Sequence, residues 1–480
     1  MNYSVIRHVT GWVIFTVSLF MLLPAIVSMI YGEKQAWIFI ACAAIFGVLG
    51  FLLKFKPPEN RKFFAREGFI VVTLSWIVIS FIGAVPFTVS GEIPSYIDAL
   101  FEIISGFTTT GASILNNIEG LSRGMLFWRC FSNWLGGMGV LVFILAIVPS
   151  AGGQGLYFMR AESTGPSVGK LVPKIRHSAA ILYLLYISLS VLQIILLLIS
   201  GMPLYDAACV TFGTAGTGGF APLGDSIASY TLSAKIVVTV FMLLFGVNFN
   251  IYFLIVVRRF KEAISNEELR WYFIIYFAAT ALVGLSMFTS MRGQFEVVDI
   301  FFQTSSIMTS TGFATADFDL WTPLSKMVLL ILMFIGTCAG STGGGIKVSR
   351  FVIYAKTVKK QLQFLIHPRS VKILKMDGKP ISHEVIRIVN VYLATYMFFF
   401  TGSLLLILID GFDIVTSFTA VSATLNNIGP GLGMVGPTGN YEAFSPFVKC
   451  VLSINMLAGR LELFPLILFF TPSAWRRGGI

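Results

Sequence analysis

Three short polar stretches limit what this chain can fold into. "GFTTTGAS" (106–113), "FGTAGTGGF" (212–220) and "IMTSTGFAT" (307–315) each close a short apolar piece. Those pieces run to roughly 11 residues, or ~16 Å as helix, whereas a membrane crossing takes about 20 residues. In each case an aspartate precedes a glycine by 13 positions: Asp98 and Gly111, Asp206 and Gly219, Asp299 and Gly312. A lone TTTG or TSTG reads as an ordinary turn or helix end. Three at equal spacing in matching places read as a repeat.

The rest of the chain puts that repeat in a bilayer. Of 480 residues, 56% are hydrophobic and only 12% charged, against ~25% charged in soluble domains. Glycine-rich backbone at membrane depth cannot face lipid, because its amides and carbonyls would lack partners. The economical solution is a re-entrant loop, in which a short helix enters and an extended segment returns. Four such loops around one axis make a pore. Their helices point partial negative charge at the centre, and an acid at each start suits the positive end. Extended Gly/Thr backbone can then replace the hydration shell of a monovalent cation with carbonyl oxygens. A fourth unit has Asp413 and "TLNNIGPGLG" (424–433), but Gly429 follows Asp413 by 16 positions, so the register there is looser.

Ten full spans are expected, at about 10–31, 36–53, 68–90, 124–149, 178–200, 234–257, 270–290, 324–358, 386–410 and 446–471. The run after Arg7 and His8 is too long for a cleavable signal and reads as a first membrane helix. Basic residues cluster on one side: Lys54, Lys56, Arg61, Lys62, Arg66; Arg160, Lys170, Lys174, Arg176; Arg258, Arg259, Lys261, Arg270; and a long run from Arg350 to Arg387. The positive-inside rule makes these segments cytoplasmic, together with both termini. Acids such as Asp98, Glu102, Asp206, Asp225, Asp317, Asp319 and Glu442 fall on the other side. Singly they read as solvated loop charges; together they would enrich cations at a pore mouth. Five scattered cysteines read as small core residues. Four histidines near basic loops or the N-terminus argue against haem or zinc chemistry.

At these residues the chain resembles the Trk, Ktr and HKT cation transporters, most closely the TrkH-type membrane subunits of bacterial Trk potassium uptake systems. The likeness runs through "TTTGAS", "TGGFAPLGDS", "STGFATADFD" and "LNNIGPG", and includes two leading helices. It implies an all-α membrane protein with four pseudo-symmetric helix–pore loop–helix units around one pore. Residues 1–67 would hold the leading pair, with units at 68–160, 161–265, 266–375 and 376–480. It implies a potassium filter built from Thr109, Thr110, Gly111, Ala112, Gly218, Gly219, Phe220, Ser310, Thr311, Gly312, Phe313, Asn426, Asn427, Ile428 and Gly429. Gly111 favours potassium, because in related plant transporters a serine at the first filter glycine accompanies sodium transport. The resemblance further implies a homodimer in the bacterial inner membrane, among lipids, with no covalent cofactor and no nucleic acid partner. A cytosolic TrkA-type ring would carry the regulatory nucleotides (ATP, ADP, NAD). Channel and symport modes are both open, as is sodium coupling.

Two features sit on the cytoplasmic side of that filter. "GTCAGSTGGGIKVSR" (336–350) interrupts the eighth span. It lacks the GK[ST] ending of a phosphate loop. Gly336, Gly340 and Gly344 have the spacing of a close helix contact, but Ser341, Thr342, Gly343 and Gly345 beside them would rather unwind the helix. The resemblance places a gating loop here, with Gly343, Gly344, Gly345 and Lys347. Arg460 lies inside the last span, where a charge costs at least ~2.5–3.5 kcal/mol on insertion scales. It is expected in the pore below the filter, limiting flux; a structural ion pair is the plainer alternative. No catalytic constellation is visible. An oxidoreductase subunit would need ligating His/Cys pairs, and an alternating-access carrier would show two inverted halves.

Overall fold

A computed structural model describes residues 2–56, 58, 65–139, 175–290, 295–369 and 373–475. The far half of the span expected at 124–149 lies outside the described residues, as do Arg61, Lys62, Arg160, Lys170, Lys174, Arg292, Lys372, Arg476 and Arg477.

The chain opens with α1 (Tyr3–Phe20) and α2 (Leu22–Ile30), one apolar rod interrupted at Met21. α3 (Gln35–Phe55) returns along α1. The two backbones approach closely at Gly11 and Gly50, where a Cβ would meet Lys54 N at 2.7 Å and Phe15 N at 2.6 Å.

Four units follow. The first has α4 (Ala65–Ser90), the short α5 (Tyr96–Phe107) and α6 (Arg123–Met138). The second has α7 (Ile175–Ile199), short α8 (Leu204–Gly216), α9 (Leu232–Phe245) and α10 (Phe249–Val256), then a surface turn of helix, α11 (Phe260–Ser265). The third has α12 (Glu267–Ser290), short α13 (Val297–Met308), α14 (Pro323–Ile335) and α15 (Val348–Ile366). A two-stranded hairpin pairs Lys375–Met376 with Lys379–Pro380. The fourth unit has α16 (His383–Ile407), short α17 (Ile414–Leu425), α18 (Pro446–Arg460) and α19 (Phe464–Phe470).

Six rods among the described residues are long and apolar enough to cross a membrane: the leading pair and the first helix of every unit. Each second span is broken. The sequence reads 234–257 and 446–471 as continuous runs, and there the structure differs; within 324–358 the interruption expected at 336–350 is present. α9 and α10 meet at 91° across Gly246–Asn248. Residues 336–347 separate α14 from α15. Glu462 and Leu463, with φ of 55° and 68°, separate α18 from α19. α6 likewise stops at Gly139, φ 77°. The cause is packing: these segments press on the ends of the short helices. A Cβ on Gly136 or Gly459 would lie closer than 3.0 Å to the last carbonyls of α5 or α17, at Phe107 and Leu425.

The short helices are alike at both ends. Each ring glycine lies sixteen positions after the N-cap: Ser95 to Gly111, Pro203 to Gly219, Glu296 to Gly312, Asp413 to Gly429. The fourth register therefore does not slip. Asp98, Asp206 and Asp299 stand three residues inside their helices, while Asp413 is the cap itself and accepts from Thr416 N at 3.0 Å. The Thr416 hydroxyl and N–H hold the Asp413 carboxyl below its ordinary value. One threonine near the end of each helix is satisfied locally. Thr108, Thr214, Thr304 and Thr424 each donate to the carbonyl four residues back, at 2.7–2.8 Å.

Candidate functional site

All four short helices end in the same way. Thr109, Thr217, Ser310 and Asn427 have left-handed backbone, with φ of 56°, 55°, 55° and 53°. The next N–H reaches back five residues: Thr110 to Ser105 O and Gly218 to Gly213 O at 2.8 Å, Thr311 to Ser306 O at 2.9 Å, Ile428 to Ala423 O at 2.8 Å. That is the Schellman ending, normally completed by glycine at the left-handed position. Here the glycine falls two residues later, at Gly111, Gly219, Gly312 and Gly429, again at positive φ (81°, 69°, 82°, 93°).

Those four glycines close a ring. A Cβ on Gly111 would strike the Gly218 carbonyl, on Gly219 the Thr311 carbonyl, on Gly312 the Ile428 carbonyl, and on Gly429 the Thr110 carbonyl, each closer than 3.0 Å. Every loop abuts the next, and the fourth returns to the first. All four glycines line one vestibule of about 160 Å³, shared with Ser113, Ser226, Asn116 and Asn440. After the second and third glycines, Phe220 and Phe313 are buried in the protein, while Ala112, also buried, and Pro430 line the vestibule.

The ring is held from behind by side chains. Asn427 donates to Thr110 Oγ1 and to Met456 O, both at 2.9 Å, so it binds the fourth loop to the first. Asn426 Oδ1 accepts from Tyr396 at 3.1 Å, and Gly429 O from Tyr441 at 2.7 Å. Thr108 and Thr110 share a 2.8 Å hydroxyl contact, repeated by Thr309 and Thr311.

Glu102, expected at the solvated mouth, is buried instead. It is 0% exposed and lies 2.6 Å from Arg129, itself 2% exposed. Glu102 also accepts from Ser113 and Ile114 N, while Arg129 donates to Ala221 O at 3.2 Å and covers the Phe220 ring at 3.6 Å. The pair brackets the outgoing limbs of loops one and two. Lys449 and Asp98 form a second link, at 2.6 Å. Sequence reasoning missed both pairings; a charge in a span beside a charge in a short helix was the available signal.

The opposite face of the ring is covered. Residues 336–347 lie against the helix ends: Gly344 N donates to Ser310 Oγ at 2.5 Å, and a Cβ on Gly343 would meet Thr309 O at 2.8 Å. Thr342 donates to Phe245 O at 3.2 Å, at the bend of unit two. The buried Lys347 ammonium donates to the Gly343 carbonyl and, at 3.3 Å, to Thr337. Gly345 (φ 82°) packs on Gly336. Arg460 reaches the same place. It donates to Thr342 O at 2.9 Å, Gly137 O at 2.8 Å and Thr109 Oγ1 at 3.3 Å, and also to Gly136 O. Its neighbour Glu462 pairs with Arg350 at 2.5 Å. Arg350, expected in a solvated loop, is buried there, with its guanidinium 3.9 Å from the Tyr392 ring centre.

A family model for cation transport proteins, TrkH, matches residues 34–477. This chain belongs to the TrkH family. It is 34% identical to the Trk system potassium uptake protein TrkH of Escherichia coli strain K12, over 99% of this chain and all of that one. It is 32% identical to the potassium uptake protein TrkG of the same strain, over 99% of each. The crystal structure of the potassium transporter TrkH from Vibrio parahaemolyticus superposes with a TM-score of 0.89, at 31% identity, covering 99% of this chain and 100% of that one. The chain is thus an all-α, multi-pass membrane transporter and not an enzyme.

Proposed function

We propose that this chain is the potassium-conducting membrane subunit of a Trk-type uptake system. The observation that carries this reading is the closed ring, in which each of four glycines is butted against a carbonyl of the next unit. Only glycine fits there, both for its φ and for the space. Four loops whose backbones meet without side chains between them can offer carbonyl oxygens in place of an ion's hydration shell. Thr109, Thr110, Gly111, Gly218, Gly219, Ser310, Thr311, Gly312, Asn426, Asn427, Ile428 and Gly429 form this filter, backed by Ala112, Phe220 and Phe313. Glycine at position 111 favours potassium over sodium. Family membership and the names of the relatives point the same way.

The segment with Gly343, Gly344, Gly345 and Lys347 is the gate, and Arg460 is its second element. Its guanidinium sits on the axis side opposite the vestibule, where a fixed positive charge raises the barrier to a cation. The vestibule opens outward and both termini are cytoplasmic, in keeping with the basic segments. Membrane potential drives uptake, at about 2.3 kcal/mol per charge per 100 mV. The subunit works as a homodimer, in four units bounded near 68–160, 161–265, 266–375 and 376–480. A cytosolic TrkA-type ring that binds ATP, ADP and NAD regulates it; the chain itself takes no cofactor beyond its potassium substrate.

Rubidium uptake into liposomes tests this, with potassium, sodium and lithium as competitors. Potassium should compete and sodium should not. Equal competition by sodium and potassium would reject the potassium reading.

A further inference from the structure

The intramembrane segment is clamped by a carboxylate that belongs to a different helix. Glu268, in the first turn of α12, is 4% exposed, and its Oε1 accepts from Ala339 N at 2.7 Å and from Ser349 N at 3.1 Å. Ala339 lies where the segment leaves α14, and Ser349 lies where α15 begins. One oxygen therefore ties both limbs of the segment together. The adjacent Glu267 meets the same helix two turns further on. It pairs with Lys356 of α15 at 2.5 Å, and Lys356 also donates to Lys375 O at 2.7 Å. The N-terminus of α12 is capped in turn by the hairpin: Asp377 accepts from Glu267 N at 2.6 Å and from Asn266 Nδ2 at 3.3 Å. Asp377 is exposed at the hairpin turn. α12 runs the depth of a bilayer from this point to the vestibule side, so the hairpin lies on the far surface.

We propose that Glu268 is a positioning residue for the intramembrane segment, and that the Lys375–Pro380 hairpin is its handle. This rests on the reading of residues 336–347 as the barrier. Asp377 fixes the first turn of α12 through two adjacent donors. A carboxylate there also suits the helix dipole. Moving the hairpin moves Glu267 and Glu268 together, since they are neighbours in one turn. Glu268 then loses its hold on Ala339 and Ser349, and the segment is free to leave the ring. Whatever pulls on the far surface at the hairpin would reach the barrier by this route, without contacting the membrane interior.

The test uses the full chain in liposomes without a regulatory partner, in a Cys450→Ser background. Of the five cysteines Cys450 alone is exposed, and Cys338, inside the segment, is buried. Two readouts are taken: rubidium flux, and the rate at which a small methanethiosulfonate modifies Cys338. Asp377→Ala and Glu268→Ala should each raise both by about tenfold, the scale of one lost charged hydrogen bond. Asp377→Asn keeps an acceptor for Glu267 N and should behave as the native chain. The double variant should equal the larger single effect, because both act on one clamp. Deleting residues 343–345 should raise flux in every background. Asp377→Ala with native flux and native labelling, alongside a deletion that conducts, would overturn the proposal; so would additive effects. A deletion without effect on flux would instead reject the barrier reading, and Cys338 labelling would still decide the clamp. Asp377 is exposed, so monodisperse elution of Asp377→Ala keeps the result clear of misfolding.

Discussion

Arg460 donates a 2.9 Å hydrogen bond to the carbonyl of Thr342, and so ties the last span of unit four to the middle of the segment in unit three. The same guanidinium holds Gly137 O and Thr109 Oγ1 of unit one. It therefore does two things: it adds a positive charge beside the ring, and it latches the covering segment in place.

Removing Arg460 should accordingly raise flux. A unit charge ~6 Å from a passing cation, at an effective dielectric of about 20, is worth about 3 kcal/mol. Arg460→Ala is expected to speed rubidium uptake by about tenfold or more. Arg460→Lys keeps the charge but cannot span four acceptors, and should fall between. Unchanged rates in both would show that Arg460 is only a structural tie.

The ring glycines should be intolerant in a particular way. Gly312→Ala puts a Cβ against the Ile428 carbonyl at a φ of 82°, where an L-residue is also strained by about 1–2 kcal/mol. The expected outcome is folded protein with sharply reduced potassium flux. Gly111→Ser, with a Cβ against the Gly218 carbonyl oxygen at a φ of 81°, should likewise reduce potassium flux, and the flux that remains should lose preference for potassium over sodium, as read by competition in the liposome assay.

The Arg129–Glu102 pair predicts a stability result and not a rate. Breaking a buried pair leaves one charge unpaired, at about 3–5 kcal/mol. Glu102→Gln and Arg129→Leu should each lower the unfolding midpoint in detergent markedly. The double variant should recover part of the loss. Additive losses would mean that the two charges do not depend on each other.

Tyr441→Phe removes the hydroxyl that holds Gly429 O at 2.7 Å and nothing else. A neutral hydrogen bond of this kind is worth about 1 kcal/mol. The midpoint should fall only slightly, while sodium competition should rise, because the fourth loop is freed to widen. Selectivity at the native level would show that Asn427 alone fixes that loop.

The parts of this architecture that show in the sequence are those that need a special residue. Glycine at positive φ is required once per unit, and the Asp98–Gly111, Asp206–Gly219 and Asp299–Gly312 pairs expose it. The fourth unit hides because its acid moved to the helix cap. Asp413 is one turn ahead of the position that Asp98 occupies, while Gly429 has not moved. The breaks in the second spans are unreadable by hydropathy, since Gly246–Asn248 and Glu462–Leu463 interrupt apolar runs by only two or three residues. The tie between Glu102 and Arg129, and that between Glu268 and the loop, join distant parts of the chain. Their partners are chosen by packing, which no local pattern records.

Whether the four backbones together hold a dehydrated alkali ion is read from anomalous scattering by crystals grown in rubidium or thallium(I). A peak is expected on the axis enclosed by the carbonyls of Thr110, Gly218, Thr311 and Ile428, displaced by potassium. Crystals of transport-competent protein with no density inside that ring, or with the ion bound elsewhere, would contradict it.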